Sequence, residues 1–119
     1  MNHIELGKEG ERLAVALLKK KKHTILQENF RYRRGEIDII SQHDNQLIAT
    51  EVKTRETNVF GSPFNAVSRS KQRQIISVMN AFIEQSNRSE EIRFDVISIV
   101  LGKQRTEIEH IEGAFYPLV

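Results

Sequence analysis

The chain has 119 residues, a formal net charge of +2 and no cysteine, which excludes a disulfide framework, a thiolate metal site and a cysteine nucleophile. That length is expected to fold as one domain spanning 1–119 with a real core. No apolar run approaches the roughly 18 residues of a membrane span and the N-terminus lacks a signal-peptide core, so a cytoplasmic protein without membrane contact is expected.

From Glu5 to Lys22 the pattern is helical, with Leu6, Gly10, Leu13, Ala14, Leu17 and Leu18 forming one apolar stripe. Gly7 and Gly10 each cost about 1 kcal/mol relative to alanine. Glycines tolerated at that cost point to a close backbone approach, to the sheet or to phosphate. Glu11 lies beside the stripe, placed to lean over a sheet edge. Thr24 to Phe30 reads as a first, ragged strand. Arg31, Arg33 and Arg34 follow, three arginines upstream of an acidic strand and suited to bidentate phosphate contacts.

Gly35-Glu36-Ile37-Asp38-Ile39-Ile40 and Ile48-Ala49-Thr50-Glu51-Val52-Lys53-Thr54-Arg55 are short, β-branched runs carrying charges where a buried strand should have none. Asp44-Asn45 between them suits a two-residue hairpin turn. His43 then faces Gln46, and counting outward puts Asp38 opposite Glu51 and Glu36 opposite Lys53. Opposed residues share a sheet face with Cβ atoms about 4.5–5.5 Å apart, so the turn gathers these four side chains on one patch. Two carboxylates so close repel unless a cation lies between them. Mg²⁺ usually binds through one or two carboxylates plus substrate phosphate. A neighbouring lysine can orient water or stabilise phosphate charge. The plainer alternative is a solvated sheet face with Glu36 and Lys53 as a weak cross-strand pair.

Ser62-Pro63 is an N-cap and first-turn pair that opens a helix, with Phe64 and Val67 in its first apolar turn. A longer helix runs from Arg69 to Gln85 with Ile75, Ile76, Met79, Phe82 and Ile83 as its core face. Lys71 and Gln72 in its first turns can face the carboxylate patch. Arg93 to Leu101 reads as a central strand buried on both faces, with Asp95 a structural carboxylate satisfied by an arginine. Gly102-Lys103-Gln104 is a turn, Thr106 to Ile111 a last strand, and Ala114, Phe115 and Leu118 pack back. Helix, strand, hairpin, helix, strand, strand describes an α/β layer with a mixed sheet. Lys19 to Lys22, Arg31/Arg33/Arg34 and Arg69/Lys71/Arg73 form three basic clusters, a distribution suited to a polyanion.

The blocks Gly35-Glu36-Ile37-Asp38-Ile39-Ile40, Glu51-Val52-Lys53-Thr54-Arg55 and Arg93-Phe94-Asp95, with Gly10-Glu11 before them and Ala114-Phe115 after, resemble the YraN-like family of small bacterial proteins across nearly the whole chain. That family is similar to the restriction-endonuclease-like PD-(D/E)xK nucleases, particularly archaeal Holliday-junction resolvases. The resemblance implies a restriction-endonuclease-like fold, a central mixed β-sheet flanked by helices. It implies Asp38 and Glu51 as metal-ligating acids, Lys53 as the catalytic lysine, and Glu11 as an additional acid from the first helix. Ile37 stands where the superfamily name places proline. The expected function is a Mg²⁺- or Mn²⁺-dependent DNA endonuclease, with branched or Holliday-junction DNA as a candidate substrate. Glu36 and Gln72 would be auxiliary, and Arg31, Arg33, Arg34, Arg55, Arg69, Lys71 and Arg73 would hold nucleic-acid phosphates. Junction cleavage by paired sites would call for a homodimer. Two rivals use the same residues: a non-catalytic nucleic-acid-binding module on this scaffold, and a structural or protein-partner role.

Overall fold

The computed structural model describes residues 1–56 and 67–117. The expected Ser62-Pro63 helix start, Phe64 and Leu118 lie outside the described residues. The described elements are α1 (His3–Lys20), β1 (Thr24–Tyr32), β2 (Gly35–His43), β3 (Gln46–Glu56), α2 (Arg69–Ser86), β4 (Glu91–Leu101) and β5 (Thr106–Phe115). The strands form one sheet in chain order, antiparallel except for the parallel β3–β4 pair. This mixed α/β architecture is consistent with a nuclease-like fold.

Helix α1 begins two residues before the expected Glu5 because Asn2 caps it. The Asn2 side chain accepts from the Glu5 N–H at 2.8 Å, and the Glu5 carboxylate accepts from the Asn2 N–H at 3.4 Å, a reciprocal capping box. It stops at Lys20, and Lys22 turns away with a φ of 74°. Gly10, Ala14 and Leu18 form its buried stripe. A methyl group on Gly10 would overlap the Thr54 side chain of β3, so the expected close approach is real there. Gly7 has open space around it, so it makes no such approach to the sheet. Helix α2 starts on a Ser68 cap, its hydroxyl accepting from the Lys71 N–H at 3.2 Å, and ends at Asn87 with φ 55°. Its buried face is Ile75, Val78, Met79, Ala81 and Phe82, while Ile76 and Ile83 are only half-buried.

The helices divide the core. On one side Ala14 and Leu18 of α1 pack with Ile39, Ile97 and Ile99; on the other, α2 packs with Ile37, Ile40, Leu47, Ala49, Phe94 and Phe115. A regular strand would put Ile37 and Ile39 on one face. Here they belong to opposite clusters, so the alternation of β2 slips at Asp38.

The β2–β3 hairpin turns at Asp44, whose φ is 54°. The register runs from His43–Gln46 to Ile39–Thr50 as counted from sequence, then stops. The expected Asp38–Glu51 and Glu36–Lys53 pairs are not part of the ladder. The Asp38 carboxylate enters the gap and accepts the Val52 N–H at 2.7 Å.

Three histidines far apart in sequence meet over the α1 face. The rings of His23 and His43 stack with centroids 4.5 Å apart, and His110 lies 6.3 Å from His23. Asp95, fully buried, accepts from Arg93 at 2.8 and 2.9 Å, from the Gly113 N–H at 3.0 Å and from His110 Nε2 at 2.7 Å. Lys21 Nζ lies 2.8 Å from His110 Nδ1. An ammonium only donates, so Nδ1 accepts and the Nε2–H donates to Asp95. Burial pushes the Asp95 carboxyl upward, but the bonds from His110, Arg93 and Gly113 outweigh it and hold the group below its ordinary value. Burial, then the charges of His43, His110 and Arg93, push His23 down to about 4.

Two outcomes are expected. Gly10→Ala should destabilise the fold by about 1–3 kcal/mol, read from urea unfolding, because α1 cannot back away from Thr54 without opening the core. The neutral His23 contributes stability that is present above pH 6.5 and is lost as pH falls toward 4. Thermal melts should therefore show the melting temperature falling across that window, less steeply in His23→Gln.

Candidate functional site

Where β2 and β3 part, a pocket of about 320 Å³ opens beneath the N-terminal half of α1, and Glu11, Asp38, Glu51 and Lys53 all line it. Asp38 arrives from β2 at the slip in its alternation, and Glu51 and Lys53 from β3 just past the last ladder pair. A larger hollow of about 690 Å³ lies at the β4–β5 turn, where Glu107 is already paired with Arg105 at 2.7 Å. Chemistry rather than size singles out the smaller one.

The Asp38 and Glu51 carboxyls hydrogen-bond to each other. Two ionised carboxylates only accept, so one of them must be protonated and donate. Burial, then the neighbouring Asp38 charge, push Glu51 up to about 9. Burial also raises Asp38, against the lowering effect of the Val52 N–H and of the bond with Glu51. Glu51 Oε2 is buried and meets no donor among the described residues.

These groups fit a hard divalent cation. A shared proton and an oxygen without a donor are what a cation would replace and satisfy. No group of three His, Asp or Glu side chains close enough to hold a metal occurs among the described residues. Two carboxylates with retained waters are nonetheless an ordinary Mg²⁺ set.

The other expected site residues divide. Glu11 is at the pocket wall, its Oε1 accepting from Asn29 Nδ2 at 2.6 Å. Glu36 adds negative charge to Glu11, Asp38 and Glu51, but its carboxylate pairs with Arg31 at 2.6 Å rather than with Lys53. The Gln72 amide donates to the Val67 carbonyl at 3.2 Å, which engages it in the start of α2. Lys71, half-buried on the first turn of α2, lowers both Asp38 and Glu51 through its charge. Arg33 lies over the Tyr32 ring, 5.3 Å from its centroid, and with Arg34 forms the exposed β1–β2 turn. Arg69 and Arg73 are exposed on α2, and Arg55 lines a hollow of about 450 Å³ that shares His3, Leu6 and Thr54 with the acidic pocket.

Sequence reasoning overlooked His3 and Leu6 as pocket walls, which Gly7 joins. The signal was there, since His3, Gly7 and Glu11 recur at four-residue steps and share one helix face. The Val52 N–H had no signal, because a backbone donor is anonymous in sequence.

Residues 10–99 match the family described as Uncharacterised protein family UPF0102. The chain belongs to that family. A UPF0102 protein of Christiangramia forsetii is 46% identical over 114 residues, 96% of each chain. UPF0102 proteins of Phocaeicola vulgatus, 43% identical over 97% of this chain and 95% of its own, and of Flavobacterium psychrophilum, 41% identical over 96% of each, are similar along the same span. The YraN-like resemblance is thereby borne out. No helix among the described residues is long and apolar enough to cross a membrane.

The raised Glu51 gives a test of the acid pair. A proton held more tightly by the folded than by the unfolded state contributes stability below pH 4.5 that is lost as pH rises through about 9. Metal-free protein should lose stability to chemical denaturant across that window, and Glu51→Gln should flatten the loss.

Proposed function

We propose that this UPF0102 protein is a divalent-cation-dependent nuclease acting on phosphodiesters of DNA, with branched DNA the substrate to try first. The observation that carries this reading is the half-buried Asp38–Glu51 pair, with a buried oxygen facing no donor among the described residues, in a pocket that Lys53 also lines. Asp38 and Glu51 would hold Mg²⁺ or Mn²⁺ after giving up their shared proton. When bound, the cation supplies Lewis-acid stabilisation of phosphoryl charge and a more acidic water. Asp38 is oriented for this by the Val52 N–H. Lys53 would orient the attacking water or donate to the phosphate as charge builds on it. Lys71 offers a second positive charge from the α2 side, and Arg33, Arg34, Arg55, Arg69 and Arg73 would take flanking phosphates, giving salt-sensitive and largely sequence-independent binding. Junction cleavage would further call for a symmetric dimer.

A second reading, a nucleic-acid-binding protein without cleavage, is favoured by one observation: only two carboxyls meet, with no third acid or histidine in ligating reach among the described residues.

Four-way-junction, linear duplex and single-stranded DNA, with an RNA control, incubated with Mg²⁺ or Mn²⁺ should separate the two. Wild type should cleave at least one DNA form, and Asp38→Ala and Lys53→Ala should each lose about 10²-fold or more in rate while still binding. Salt-dependent binding with no product from wild type would establish the second reading instead.

A further inference from the structure

Asn29 lies where β1 departs from its own ladder. The register pairs Glu28 with Ile39 and Phe30 with Ile37, which places Asn29 level with Asp38, yet those two are not paired. The Asn29 φ is 53°, in the left-handed region that asparagine tolerates better than most side chains. From this position its Nδ2 donates to Glu11 Oε1 at 2.6 Å, tying the strand to α1. One oxygen of Glu11 is thus fixed, on a wall of the pocket that also holds Asp38 and Glu51. The charge of Asp38 reaches Glu11, although the three acids do not stand close enough to ligate one ion together among the described residues.

We infer that Asn29 is a positioning residue. Its amide fixes the Glu11 carboxylate on the pocket wall, beyond direct ligation, so that Glu11 acts on a divalent cation held by Asp38 and Glu51 through its charge or a retained water. This rests on the cation reading above. The physical reason is general: a carboxylate free to rotate loses entropy each time it orients toward an ion, and a fixed donor removes that cost. Hydrogen bonds of this kind to metal-site side chains are worth about 10–100-fold in affinity. Asparagine also meets the backbone demand, but glycine would meet that equally well. The two roles are therefore separable.

Mn²⁺ binding to the whole chain, without nucleic acid, measured by electron paramagnetic resonance of free Mn²⁺, tests the inference in wild type, Asn29→Gly, Glu11→Gln and the double variant. Asn29→Gly keeps the left-handed backbone and should weaken Mn²⁺ binding about tenfold, Glu11→Gln by a similar factor, and the double no further. Wild-type affinity in Asn29→Gly, or losses that multiply in the double, would overturn the inference and leave the cation reading standing. Absence of Mn²⁺ binding by wild type would sink both. Should Asn29→Gly fail to fold, the Asn29 side-chain amide signals of metal-free protein serve instead. Glu11→Ala must shift them, and signals left unmoved would overturn the contact.

Discussion

The constraint on which the rest depends is the parting of β2 from β3 at Asp38. Up to Ile39–Thr50 the two strands pair backbone to backbone; beyond it a side-chain carboxylate occupies the place of a carbonyl and satisfies the Val52 N–H. That exchange leaves room at the mouth of the split for Glu51 and Lys53. It also keeps the backbone donor satisfied, which a simple fraying of the hairpin would not. The acid pair is held there under electrostatic tension, since both carboxyls are desolvated and the Asp38 charge raises the cost of ionising Glu51. Structural stability alone gives no reason for burying two acids together, and such arrangements cluster at sites that do chemistry.

Around the split, the sheet supplies rigidity from the opposite end. Asp95 gathers Arg93, His110 and the Gly113 N–H, and Lys21 bonds to the far side of the same imidazole. This network joins the end of α1 to β4 and β5. Near its middle α1 is set by the tight contact of Gly10 with Thr54. The helix that walls the acidic pocket is therefore held beyond its C-terminus by that network and near its middle by a contact at the pocket's own rim.

Much of this was legible in the residues. Charged side chains in β-branched runs, with Asp44-Asn45 between them, fixed the hairpin and its register as far as Ile39–Thr50, and they brought Asp38, Glu51 and Lys53 to one place. The ladder's end was hidden, because a residue count assumes that pairing continues, whereas Asp38 substitutes its side chain for the backbone. Glu36 and Gln72 looked available on their strand and helix, but Arg31 and the Val67 carbonyl were nearer partners. The histidine cluster was invisible for a different reason. His23, His43 and His110 are joined only through pairings between distant strands, and no local pattern carries that information. Asn29 gave a faint hint, a polar residue interrupting a strand, which read as raggedness rather than as a tie to Glu11.

The slip in β2 carries a consequence for how the two helical layers relate. Ile37 belongs to the α2 side and Ile39 to the α1 side, with Asp38 between them. One short segment is thus a shared tether, gripped from above by one layer and from below by the other. A shift of either helix must pull on the same peptide units. Whatever settles beside Asp38 is placed at the junction of both layers, and it would sense their relative alignment as a single coordinate.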